Sequence, residues 1–282
     1  MAKLAGFADC KAVTVSREEL WPAAVKRLCF SPKTALVLFW SYGPPVSTDL
    51  TGKIALSNYY PASHAAYQAA RDIEKTLLIK GVPCLHTDSL DLKRLALRSG
   101  GFIGENSLYY HETFGSFVVI EAILLENEMD YDSSQKTLLD MCRGCTLCKD
   151  ACPVGAVGGD ISRRCLRRRM GKNPPEEEVR AKIYQLLGCE LCQQVCPYNN
   201  AKPLSPAVYP VEKILNRSAL TEIKRVAGAN MARTNIVLAQ AIAYAANKGM
   251  RELTPYIWEL QKEPLLQEIS LWALRKLGNN IP

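Results

Sequence analysis

At 282 residues the chain is long enough to bury a sizeable core, and its length favours two domains or one domain with an appendage. Its 48% hydrophobic and 22% charged residues are those of an ordinary soluble globular protein. The net charge of +7 permits an anionic partner such as RNA without demanding one. The N-terminus reaches Asp9 and Cys10 before any apolar run forms, so no secretory signal is expected. Thr34–Trp40 and Phe117–Leu125 are too short to span a bilayer, and Glu121 interrupts the second. A cytoplasmic location with no membrane association is the expectation. In that compartment eleven cysteines point to metal ligation or redox chemistry rather than to disulfides.

Taken in chain order, residues 1–135 read as a mixed α/β domain. Thr34–Trp40 and Ser116–Ile120 are short apolar runs of the kind that form buried strands. Ser63–Lys80 has helical spacing, with Ala66, Ala70, Ile73 and Leu77 on one face, and Gly81-Val82-Pro83 ends it. A further strand is expected over 82–86, followed by Thr87-Asp88-Ser89. Residues 136–205 hold eight of the cysteines among loops and short helices. Pro174-Pro175 breaks this region, and Glu176–Glu178 form an acidic first turn for the next helix. Residues 206–282 read as helical, with amphipathic stretches at Asn235–Asn247, Glu252–Lys262 and Leu265–Lys276. Stacked helical hairpins of the HEAT kind and a simple helical cap both fit that pattern. The fold class is therefore α+β.

The cysteine spacing carries the chemistry. Cys142, Cys145, Cys148 and Cys152 follow a C-x2-C-x2-C-x3-C-Pro run. In the bacterial ferredoxin pattern the first three thiolates of such a run ligate one cubane and the fourth ligates another. Cys189, Cys192 and Cys196-Pro197 form a second, shorter run, and Cys165 supplies its missing member. This assigns Cys142, Cys145, Cys148 and Cys196 to one [4Fe–4S] cluster and Cys152, Cys165, Cys189 and Cys192 to the other. Paired C-x2-C motifs also build zinc sites, but three thiolates at two-residue spacing followed by Cys-Pro, with Cys-Pro occurring twice, favour iron and sulfur. Cys10, Cys29 and Cys84 stand isolated and read as small buried hydrophobes.

A ferredoxin module needs only a fraction of this length, so the N-terminal region is expected to bind or transform something. Ser99-Gly100-Gly101-Phe102-Ile103-Gly104-Glu105-Asn106 forms a glycine-rich loop that lets backbone approach a ligand, and Asp88 follows a strand. A lone Asp there also reads as a helix N-cap. Arg163–Lys172 carries six positive charges and no acid. It fits a phosphate backbone, an acidic redox partner or a solvated face. His64, His86 and His111 are the only histidines, and a hydrogen-bonded structural role is the better reading of each than a proton donor or a cofactor neighbour.

This order of parts, with the cysteine spacings, the Arg163-Arg164-Cys165 segment and the Gly188-Cys189…Cys196-Pro197-Tyr198-Asn199 ending, resembles the epoxyqueuosine reductase family. The resemblance implies a cobalamin-binding α/β domain, two [4Fe–4S] clusters that reduce the cobalt, and an epoxide oxygen removed from a tRNA nucleoside. It implies that Asp88 supplies a proton and that Gly101, Phe102, Gly104 and Asn106, with Tyr59 and His64, lie on the cofactor side. Electrons would come from a donor of flavodoxin or ferredoxin type. The chain departs from the family pattern at Phe102-Ile103-Gly104-Glu105, where the family carries Trp-x-Gly-Lys. It departs again at 58–67, as a divergent and shortened member would. The alternative is an electron-transfer or reductive-activation protein for a partner, with no bound cobalamin.

Overall fold

The computed structural model describes residues 5–129, 142–173 and 175–278. The chain divides into two compact units. One comprises Met1–Gly43, Ala62–Cys145 and Pro197–Lys202; the other comprises Pro44–Pro61, Thr146–Cys196 and Pro203–Pro282.

The first unit is built on a four-stranded sheet in the order Asp9–Thr14, Thr34–Ser41, Val118–Leu125, Cys84–His86. Every ladder in it is antiparallel. Continuous apolar runs are ordinarily the mark of parallel strands covered on both faces. Here the two long central strands meet that condition in an antiparallel sheet. Ala35, Val37 and Phe39 alternate into a core shared with Leu85, Leu95 and Leu124, while Leu38 and Ile123 on the opposite face are equally buried. The helix Tyr59–Ile79 buries Ala62, Ala66, Ala70 and Ile73, the small-residue stripe legible in the sequence. It starts four residues earlier than its spacing suggests, because Pro61 is tolerated in a first helical turn. A short hairpin pairs Phe102–Ile103 with Tyr109–Tyr110.

The second unit has one apolar core. Val154, Ala156, Leu166, Met170, Val179, Ile183 and Leu186, from between the cysteines, pack with residues of the C-terminal helices. Those helices are Val211–Leu215, Leu220–Ala227, Thr234–Asn247, Thr254–Leu260 and Gln267–Lys276. Thr234–Asn247 differs from its amphipathic reading: every residue from Ile236 to Ala246 is buried, so it is a central helix and not a surface one. Gln240 lies within that run. Its carbonyl accepts from Leu187 N at 2.7 Å and its amide donates to Met170 O at 2.8 Å. No helix among the described residues is long and apolar enough to cross a membrane.

Candidate iron–sulfur centre and its surroundings

Cys152, Cys165 and Cys189 are half-buried against the core of the second unit. Burial pushes the Cys192 thiol up to about 12, and the neighbouring Cys189, Cys165, Cys148 and Cys152 add to the rise. Cys189 is raised by burial, with Cys165 and Cys152 contributing; Leu191 N–H and the Tyr184 hydroxyl oppose it. Sulfurs that oppose one another's ionisation this way are neighbours, and as thiolates they share a site only around a cation. Cys152 behaves differently. Burial opposes its ionisation, yet the N–H groups of Val157, Val154, Ala156 and Gly155 together outweigh burial and hold it below the usual thiol range. The Ala156 N–H lies 3.1 Å from its sulfur.

The structure thus brings together Cys152, Cys165, Cys189 and Cys192, with Cys148 close to Cys192. Cys142 and Cys145 share a turn, the Cys145 N–H donating to Cys142 O at 3.0 Å. Among the described residues no three His, Cys, Asp or Glu side chains stand close enough to hold a single metal ion. Four mutually interacting thiols and a ring of N–H donors fit an iron–sulfur cluster.

Glu190, between Cys189 and Cys192, carries a carboxylate that is 1% exposed. Its Oε1 accepts from the Ser57 hydroxyl at 2.6 Å and from Tyr59 N at 3.2 Å, so it caps the helix Tyr59–Ile79 from far along the chain. Burial raises its pKa against those bonds and the nearby Arg167. Gly188 is required at this point, because a Cβ there would stand 2.8 Å from the Ser57 hydroxyl. The Arg167 guanidinium lies 3.7 Å over the Tyr59 ring and 5.6 Å from the centre of the Tyr60 ring. Neither Glu190 nor Arg167 is singled out by the sequence: a Glu inside C-x2-C and one Arg among many give no local signal.

Asp88 is exposed, two residues beyond the strand Cys84–His86. It is not the helix cap. Asp91 fills that place, its carboxylate accepting from Arg94 N at 3.1 Å. The residues leading into Asp88 are firmly held. His86 N–H donates to Glu74 Oε1 at 2.7 Å, its ring lies 2.7 Å from Glu121 Oε2, and Arg27 donates to its carbonyl at 3.3 Å. His86 is thus a buried structural histidine. His111, also buried, lies 3.2 Å from Asp9 Oδ2, and burial lowers its pKa against that carboxylate.

The segment Gly101–Asn106 folds onto itself. Gly101 has φ +79°, and a Cβ there would stand 2.3 Å from Tyr110 O. Phe102 stacks on Tyr110 with ring centres 4.8 Å apart. Asn106 is buried, donating to the Tyr110 hydroxyl at 2.9 Å and accepting from Leu108 N at 3.2 Å. The glycines and the amide therefore serve the hairpin's own closure. The residues that the resemblance puts beside a corrinoid are thus engaged within this hairpin. His64 is half-buried on its helix.

Asn199, the last residue of the second cysteine run's motif, accepts from Ser116 N at 2.6 Å. Gly115 leaves room for it, since a Cβ there would stand 2.2 Å from its oxygen. In the basic stretch, Arg169 is paired with Glu176 and Glu178, and Lys172 with Glu176 at 2.8 Å. The Lys172 and Arg169 bonds hold the Glu176 carboxyl down to about 2. Arg164 and Arg168 stay exposed, with no carboxylate within 4 Å among the described residues. Of the isolated cysteines, Cys84 is buried and Cys10 half-buried, but Cys29 is exposed, contrary to its reading as a core residue.

The fold and the thiol set define an iron–sulfur protein. Residues 141–199 match the family model described as "4Fe-4S double cluster binding domain". The chain is 30% identical over 217 residues to the epoxyqueuosine reductase of Bacillus subtilis, covering 68% of this chain and 55% of that enzyme. It thus spans little more than half of that relative's length. A solved epoxyqueuosine reductase from Bacillus subtilis superposes with a TM-score of 0.80 at 21% identity, covering 99% of this chain and 88% of that one. A second, solved with an epoxyqueuosine-modified tRNA-Tyr stem loop, superposes with a TM-score of 0.79 at 21% identity and the same coverage. The resemblance to epoxyqueuosine reductases read from the sequence therefore holds in both sequence and fold.

Proposed function

We propose that the chain is an iron–sulfur reductase that takes up single electrons on two [4Fe–4S] clusters and delivers them for reduction of a tRNA nucleoside. The observation that carries the reading is the convergence of Cys152, Cys165, Cys189 and Cys192 inside a matched double-cluster domain. Cys142, Cys145, Cys148 and Cys196 complete the donor set for the other cluster. The clusters supply one-electron reduction; the chain's share is to hold their thiolates, set the hydrogen bonds on their sulfurs and exclude water. In this reading residues 1–135 are the substrate domain, 136–205 the ferredoxin-like module and 206–282 HEAT-like helices. Asp88 supplies the proton, a role its exposure and its freedom from capping leave open to it. The substrate class and a corrinoid acceptor rest on the resemblance alone, with Gly101, Phe102, Gly104, Asn106, Tyr59 and His64 as the residues it puts beside the corrinoid. The self-closed hairpin at 101–110 favours the second reading, an electron carrier for a partner that holds no cobalamin.

The test is anaerobic reconstitution followed by titration with cob(II)alamin under EPR. Iron and sulfide near eight of each per chain, as two cubanes require, support the cluster assignment. A stoichiometric change in the cobalt signal would establish the corrinoid acceptor and make modified tRNA stem loops the next substrate to assay. An unchanged cobalt signal with full clusters would establish the carrier reading. Absence of iron would remove both.

A further inference from the structure

The turn that wraps the Cys152 sulfur has two unlike faces. Val154, Ala156 and Val157 point their side chains into the core, while Gly155, Gly158 and Gly159 are exposed. The outer face of this turn therefore carries no side chain of its own, with φ +56° at Gly155 and +81° at Gly158. Two cations straddle it. The Lys149 stem lies 3.1 Å from where a Gly158 Cβ would stand, and the Arg164 guanidinium 3.7 Å from that of Gly155. Arg163, 87% exposed and 3.5 Å from Asp160, and Arg168, which donates to Ser162 O at 3.5 Å, follow in the chain. Asp160 is occupied as a helix cap, Asp150 is bonded to the Thr146 hydroxyl at 2.7 Å, and Glu178, which feels the Arg164 charge, is paired with Arg169. Leu147, 49% exposed, opens the short helix that leads into the turn.

We propose that the turn Pro153–Gly159 is the electron entry port of the Cys152 cluster, and that its cationic rim docks an acidic one-electron donor protein. This rests on the iron–sulfur reading above. Electron transfer falls off steeply with the thickness of intervening matter, and glycine gives the thinnest cover a chain can build. A rim of exposed like charges steers an oppositely charged partner and sets its salt dependence, which suits a small, transient interface. The step is simple: one electron leaves the donor's reduced cofactor and enters the oxidised cluster, with no bond broken and no proton required. A nucleic acid is the competing occupant of any cationic face. No aromatic side chain lies on this turn to stack a base, so the observations favour a protein.

The test uses the full reconstituted chain and reduced flavodoxin as the acidic probe. A triple variant (Lys149→Glu, Arg164→Glu, Arg168→Glu) is compared with wild type by stopped-flow bleaching of the clusters and by flavodoxin binding. The expected result at low salt is a rate and an affinity lower by about tenfold or more, with the difference shrinking as salt is raised. Iron content and photoreduction by a small neutral reductant should match wild type, which separates lost docking from lost clusters. The corresponding triple Gln variant should show a smaller loss of the same kind. An unchanged flavodoxin rate with full iron, or no flavodoxin reduction of wild type, would overturn the proposal. So would loss of labelled tRNA stem-loop binding with the donor rate intact, which would make the rim a phosphate surface. Iron-free wild type would instead sink the iron–sulfur reading.

Discussion

At the scale of single residues, two aspartates three positions apart make a controlled comparison. Asp91 caps the helix Leu92–Leu97, and Asp88 is exposed and caps nothing. Asp91→Ala should lower stability by about 1 kcal/mol, the ordinary cost of a lost N-cap, and a thermal melt reads it. On the proposed reading, Asp88→Asn should leave the melt in place and lower turnover by about a hundredfold, the low end of what a positioned general acid contributes. Equal turnover in Asp88→Asn would take that residue out of the mechanism. His111 gives a pH signature. Its pKa is lowered in the fold, so between that value and the unfolded one the unfolded chain binds the extra proton. Stability should therefore fall as pH drops below the usual histidine range, and urea midpoints at pH 7.5 and 5 should be closer together in His111→Asn. These residues also show what a sequence conceals. The eight cysteines were legible because spacing alone places thiolates around a cluster. Glu190 and Arg167 were not, because their partners, Ser57 and Tyr59, lie over a hundred residues away.

At the scale of elements, strands and helices with a strong periodic signal appear where the sequence puts them, and their ends do not. The long strands, at Thr34–Ser41 and Val118–Leu125, are apolar runs that no polar residue but Glu121 interrupts. The hairpin Phe102–Ile103 with Tyr109–Tyr110 was hidden, since two-residue strands have no period to read. The glycine-rich loop reads as a ligand cradle because both uses of glycine, closeness to a ligand and closeness to the chain itself, leave the same letters. The two can be told apart. Gly101→Ala meets Tyr110 O and a left-handed backbone, and should cost more than about 1 kcal/mol of stability whether or not any cofactor is present. Helix Thr234–Asn247 was misread as amphipathic because Gln240 and Asn247 interrupt its apolar run. Both are in fact buried or half-buried hydrogen-bonding residues, Asn247 donating to Arg180 O at 2.8 Å and Ile183 O at 3.0 Å. Gln240→Leu would leave Leu187 N–H and Met170 C=O buried without partners. The expected loss is about 2–4 kcal/mol, two such groups at about 1–2 each, measured as a shift in urea midpoint at constant slope.

At the scale of the whole molecule, the question is what the clusters do for the fold as well as for the chemistry. Cys152, Cys165 and Cys189 pack against the apolar core that also holds the C-terminal helices, and Cys192 is coupled to all three. Without iron, these half-buried thiols oppose one another's ionisation. With iron they become ligands, and the binding free energy is folding free energy for whatever they are packed into. The helices around the cysteines are four residues long, such as Leu147–Asp150, Ile161–Arg164 and Leu191–Gln194, too short to persist on their own propensity. The four-stranded sheet of the first unit has a separate core and a full ladder between its two long strands. Removing the iron under anaerobic chelation should therefore act unevenly. Hydrogen exchange should rise first across residues 146–196, then in the C-terminal helices that share their core, while Thr34–Ser41 and Val118–Leu125 keep their protection. A uniform rise through both units would show that the clusters stabilise the chain as one cooperative body. No change in either unit would mean that the apolar core alone holds the cysteine loops, and that the clusters serve electron transfer only.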